Sequence, residues 1–185
     1  MSKPKLGYLL FDLPSDHEIE SSIATECEMI EALLHNRNLR ARVKRIRVAS
    51  ATRLRRVPQY RYDVQFVHLA CHGGSDGISF LGGEMKWKDV ARQIRRHLHP
   101  LNGKRRVIVF SCCHSRAGFE KTRFWLEDYF TGAYFFDPVK IGFPTAMTTW
   151  LMFYLKKNID KPHEAIVDAI NGFLGSEVLK FKTYD

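Results

Sequence analysis

Two residues in this chain have the types needed for nucleophilic acyl transfer, and each stands at the end of an apolar run. The first run is Val67-His68-Leu69-Ala70-Cys71-His72-Gly73-Gly74, and the second is Val107-Ile108-Val109-Phe110-Ser111-Cys112-Cys113-His114-Ser115. A thiol near a histidine can lose its proton to the imidazole and attack a carbonyl carbon as a thiolate. The imidazolium then protonates the leaving group. The developing oxyanion needs backbone N–H donors. Gly73 lacks a side chain, so its N–H can approach a reacting carbonyl, and the Cys113 N–H is the natural second donor. The candidate set is therefore His72 as base, Cys113 as nucleophile, and Gly73 with Cys113 as oxyanion donors.

Each residue also has a plainer reading. A single histidine or cysteine at a strand end is commonly just packed, and His68 alternates with the core in a way that suits a structural role. His97, His99 and His163 read as surface or helix-end residues. What favours chemistry is the combination of His72 before Cys113 on two core strands, with glycine behind the histidine. Cys112 competes with Cys113, because adjacent strand residues point to opposite faces and only one of them can meet His72. Cys71, His72, Cys112, Cys113 and His114 are all zinc-type ligands, but their adjacency lacks the gaps that metal motifs use. No metal is expected, and no organic cofactor is required.

These residues need elements to position them. Runs of β-branched and apolar residues suit strands buried on both faces, and open α/β sheets carry their sites beyond the carboxyl ends of such strands. Strands are expected over 5–13, 41–48 (near an edge), 62–70, 105–111 and 133–136. Helices are expected from a Ser15-Asp16 cap to about His35, over 50–61 with a break at Pro58, and over 88–97, 119–130, 144–156 and 163–174. A hairpin over 77–87 turns at Gly82-Gly83. Loops at 115–118 and 137–144 would rim the cleft. Strands alternating with helices predict a mostly parallel sheet covered on both sides.

The strand ending His-Leu-Ala-Cys-His-Gly, the hairpin with Gly-Ile-Ser-Phe and the strand ending Phe-Ser-Cys-Cys-His-Ser together resemble the caspase-like peptidases, the clan of caspase/separase-like folds. Within them the resemblance is to CHAT domains. It extends to Ala146 and Phe153-Tyr154-Leu155 in a late helix, and so spans most of the chain. Aligning Phe110-Ser111-Cys112-Cys113 on the family's Ser-Ala-Cys pattern implies that Cys113 is the nucleophile. His72 precedes it by about 40 residues, near the ~50 typical of caspases. The chain departs from the pattern at His114 and in having its next glycine only at Gly118, and no helical-repeat domain is attached.

The resemblance implies a caspase-like three-layer α/β/α sandwich and a cysteine endopeptidase working through a His-Cys dyad and a thioester. It also implies a regulated effector in a defence or cell-death response, held in check by a regulatory protein or subunit. It maps the substrate pocket to Asp12, at the end of the first strand, and to Ser111. Ser111 is uncharged, so an aspartate-selecting pocket is not indicated, and Asp12 would attract Arg or Lys. Equally, Asp12 reads as a turn former before Pro14.

The 185 residues, 45% of them hydrophobic, suffice for one domain with a full core, expected to span 1–185. No apolar run approaches the roughly 20 residues of a membrane span, and no secretory leader is recognisable. Four cysteines, two of them adjacent, read as free thiols of a cytoplasmic protein.

The net charge of +9 is uneven. From Ala32 to Tyr62 there is no acidic residue, while the basic segment from Arg37 to Arg61 includes Arg42, Lys44, Arg45, Arg47, Arg53, Arg55 and Arg56. Either an acidic protein or nucleic acid docks there, or the charge only solvates a strand and loop. The rival to an enzyme is accordingly a catalytically silent caspase-like fold acting as a binding module through this segment.

Overall fold

The computed structural model describes residues 7–14, 17–37, 41–80, 82–103, 105–156 and 162–184. The expected Ser15-Asp16 cap and strand residues Lys5 and Leu6 lie outside these, as do Arg40 and Leu81.

The protein is an α/β fold on an eight-stranded, mostly parallel mixed sheet. Five strands run parallel: β1 (Gly7–Leu13), β2 (Arg42–Arg47), β3 (Phe66–Gly73), β6 (Val107–Ser111) and β7 (Gly132–Phe136). With β8 (Leu179–Thr183) antiparallel to β7, the order is β2-β1-β3-β6-β7-β8. The hairpin of β4 (Gly77–Phe80) and β5 (Gly83–Lys86) continues from the end of β3, where His72 pairs with Ser79 and Gly73 with Ile78. Gly82, at φ +82°, makes the turn that a side chain would strain.

Helices cover both faces. On one lie α1 (His17–Arg37), α5 (Phe143–Lys156) and α6 (His163–Leu174), packed on Leu10, Phe66, Ala70 and Val109. On the other lie α2 (Ala51–Arg56), α3 (Trp87–Arg96) and α4 (Ser115–Leu126), packed on Leu9, Phe11, Leu69 and Phe110. Strand alternation produces both sets, since consecutive residues of a buried strand serve opposite cores. The chain passes from β1 to β2 through α1 on one face and from β3 to β6 through α3 on the other.

Several expectations need correction. The strand expected from Tyr62 begins at Phe66 and continues through Gly73, so His72 is inside it. The stretch 115–118 is not a loop but the first turn of α4, which starts four residues earlier than expected. Of the two readings for His97, surface or helix end, the helix end holds: it caps the C-terminus of α3 with 1% exposure, edge-on to Phe11 and stacked on Tyr62. The final strand β8 was not foreseen. Arg106, fully buried, donates to the carbonyls of Val64, His99 and Tyr129, tying the entry of β6 to the neighbouring loops.

Candidate active site

Adjacent strands β3 and β6 stay in parallel register up to Ala70 and Ser111. Beyond that pair their chains carry Cys71-His72-Gly73 and Cys112-Cys113-His114. Ala70 packs with α1 and α5, so alternation sends His72 toward that side and Cys71 toward the opposite core. In the same way Cys112 packs into the α3/α4 core. Cys113 follows the parity of Ser111, toward α1 and α5.

The two cysteines accordingly differ in environment. Cys112 is buried, and the hydrogen bond with Cys71, followed by burial, pushes its thiol well above the ordinary range. Cys113 is partly accessible, with Sγ 4.0 Å from the Ile141 carbonyl oxygen. His72 is exposed. Among the described residues no hydrogen bond joins the His72 ring to the Cys113 thiol, although both line one cavity.

That cavity, of about 380 Å³, opens beyond the strand ends under α1 and α5. At the strand tips it is lined by His72, Cys113, Ser111, Cys71 and Cys112. Its apolar wall is Ile23 of α1, Ile141, and Phe143 with Ala146 of α5. Ser111 is fixed there, its Oγ accepting from the indole N–H of buried Trp150 at 2.6 Å. Of the loop expected at 137–144, Ile141 does rim the site, together with Phe143 at the start of α5.

The backbone around His72 and Cys113 is tightly held. The Gly74 N–H bonds the Gly77 carbonyl at 2.8 Å, so ladder alternation turns the Gly73 amide away from β4. The Trp87 indole donates to the Gly74 carbonyl, clamping the segment from behind. On the other strand His114 takes the left-handed conformation at φ +52° and donates its N–H to the Val139 carbonyl. A non-glycine residue in this region is uncommon and strained, a condition often met at sites. Ser115 then buries its hydroxyl against the end of β7, accepting from the Phe136 N–H and donating to the Phe136 carbonyl. Gly118 lets α4 press on Trp87 and Phe110.

Asp12 does not join this cluster. It is 0% exposed, absent from the cavity wall, and 3.8 Å from the Arg47 guanidinium on the neighbouring strand. The acidic residue that does reach the cavity is Glu26 of α1, which sequence reading missed because no motif surrounds it. Its carboxylate binds His68 Nε2 at 2.7 Å, and His68 Nδ1 lies 3.2 Å from the Tyr154 hydroxyl. His68 is fully buried and edge-on to Trp150.

The basic segment does not form one surface. In β2, Arg42 and Lys44 share the parity of Ile46, which packs in the α2/α3 core, whereas Arg45 and Arg47 take the other side. There Arg45 meets Glu28 and Glu31 of α1, and Arg47 meets Asp12. Arg53, Arg55 and Arg56 are exposed on α2. Among the described residues, no group of three or more His, Cys, Asp or Glu side chains is arranged to hold a metal, and no helix is long and apolar enough to cross a membrane. No protein-family model matches the chain, and no curated protein matches it.

Proposed function

We propose that the protein is a cysteine endopeptidase of the caspase-like, CHAT type, with His72 and Cys113 as its dyad. The observation that carries this reading is their common cavity: both extend from the tips of adjacent strands toward one face, while Cys112 packs in the opposite core. The resemblance in the two strand-end motifs adds the reaction class.

In this reading His72 removes the Cys113 proton, and the thiolate sulfur attacks the substrate carbonyl carbon. The Gly73 and Cys113 N–H groups stabilise the oxyanion. Collapse of the tetrahedral adduct expels the amine, protonated by His72, and leaves a thioester on Cys113. Water, deprotonated by His72, then releases the carboxylate product. The His72–Cys113 hydrogen bond forms when substrate enters and brings about closure of the site, as catalytic contacts commonly tighten only in the complex. The same resemblance extends the proposal to a regulated effector of defence or cell death whose partner promotes that closure.

The test is intact-mass labelling by peptidyl electrophiles with Cys113→Ala, Cys112→Ala and His72→Ala in parallel. One adduct, lost with Cys113→Ala, slowed in His72→Ala and retained in Cys112→Ala, is expected. Labelling that persists in Cys113→Ala would sink the assignment.

A second reading draws on the absence of a His72–Cys113 hydrogen bond among the described residues and on the exposed Arg42, Lys44, Arg53, Arg55 and Arg56. It is a silent fold that docks nucleic acid or an acidic protein. Nucleic-acid binding there must weaken steeply with added salt as phosphate counterions are released. Absence of binding to DNA or RNA at low salt would remove its nucleic-acid form.

A further inference from the structure

Among the described residues, the cavity beside Cys113 has an apolar wall and one carboxylate, Glu26, whose residue is 3% exposed. Other acidic groups nearby in the fold have cationic neighbours: Asp12 has Arg47, and Glu28 and Glu31 share Arg45. Glu26 differs. Among the described residues no Lys or Arg nitrogen lies within ion-pair distance of it, and its recorded partner is His68.

His68 is the partner of the Glu26 carboxylate: its Nε2 lies 2.7 Å from Glu26 Oε1, and its Nδ1 lies 3.2 Å from the Tyr154 hydroxyl. A buried carboxylate is costly unless it is paired and hydrogen-bonded, and a ligand ending in a cation gives Glu26 a charged partner that no described Lys or Arg supplies.

We propose that Glu26 is a specificity residue of this cavity and selects a substrate side chain consisting of an apolar stem and a terminal cation, lysine or arginine. Ile23, Ile141 and Phe143 flank the stem, and Glu26 receives the ammonium or guanidinium. This rests on the peptidase reading for the bond that is cut, but cation binding by the cavity can be measured without it. The role moves from Asp12, which the fold hides, to a residue brought in by α1.

The experiment uses two peptidyl acyloxymethyl ketones, identical except for lysine or norleucine at the reactive end. These side chains match in stem and differ in the terminal charge. The lysine probe is expected to label Cys113 at least about tenfold faster, and Glu26→Gln to bring the ratio close to one, since a site built around a buried polar group rejects a ligand that leaves it unpaired. In parallel, Cys113→Ala is examined by ligand-observed NMR with n-butylguanidinium and n-butanol. Binding of the cation alone, lost in Cys113→Ala/Glu26→Gln, is expected.

Equal labelling, or faster labelling by norleucine, would overturn the selectivity and leave the dyad intact. Failure of both probes to label Cys113 would count against the peptidase reading, and n-butylguanidinium binding would then decide the role of Glu26 by itself. If Glu26→Gln does not fold, the lysine-to-norleucine ratio of the unaltered protein decides.

Discussion

A methyl group placed on Gly73 would lie 2.2 Å from the carbonyl oxygen of Cys113 and 3.0 Å from the Cys112 sulfur. The two strand tips thus approach at a distance only glycine permits. The obstacle is backbone and cannot rotate away. Gly73→Ala must separate the tips, and overpacking of this kind costs about 1–3 kcal/mol. We expect a folded protein of reduced urea midpoint with labelling of Cys113 reduced by an order of magnitude or more. Unchanged midpoint and labelling would show that the tips move freely.

Reactivity should separate the adjacent cysteines. Cys112 is buried, and its hydrogen bond with Cys71 and its desolvation raise the thiol pKa, whereas Cys113 is partly accessible. Iodoacetamide at neutral pH should modify Cys113 in the native protein and reach Cys112 only on unfolding, because the thiolate is the reacting species. Peptide mapping after brief exposure distinguishes them. Modification of Cys112 first would mean that the parity of β6 is not maintained past Ser111.

Stability should depend on pH through His97. Burial holds its imidazole below the ordinary 6.5, so in the folded protein it stays neutral where the unfolded chain binds a proton. The contribution is fully present above about pH 6.5 and declines as pH falls through that value toward the lowered folded-state pKa. His97→Phe, which keeps an aromatic ring between Phe11 and Tyr62, should lose less stability than the unaltered protein between pH 7 and 5. Urea titrations at both pH values measure the difference, and parallel slopes would exclude His97 as the source.

Charge reversals on β2 should divide by parity. Arg45→Glu faces Glu28 and Glu31, replacing attraction with repulsion, and should cost up to about 1 kcal/mol in moderate salt. Arg42→Glu with Lys44→Glu alters exposed positions on the other side and should leave the thermal midpoint nearly unchanged. That second pair is therefore the cleaner probe of docking by the basic segment. Equal destabilisation by both would contradict the partition.

Much of this architecture is readable from local pattern. The apolar runs at 66–71 and 107–111 are strands because apolar residues occupy both of their faces, as central parallel strands require. Ser50 caps α2, accepting from the Arg53 N–H, and Pro58 follows the helix it was expected to break. The turn at Gly82 and the edge position of β2 follow equally from residue type. By contrast, Leu179-Lys180-Phe181-Lys182-Thr183 is a short, lysine-bearing segment that becomes a strand by pairing with β7. Its ladder partner lies in β7, nearly fifty residues earlier, and no local periodicity contains that contact.

The sequence by itself determined the chemistry on offer: an imidazole and a thiol at successive strand ends, with glycine beside the first. These follow from local residue types, and alternation already required Cys112 and Cys113 to part. That Cys113 is partly accessible beside His72 while Cys112 is buried depended on how β3, β6 and the helices pack. That Asp12 is enclosed while Glu26 reaches the cavity depended on how α1 packs over the sheet. Only tertiary packing decides such matters, because a side chain's exposure and charge partners come from elements distant in the chain, as with Glu26 and His68.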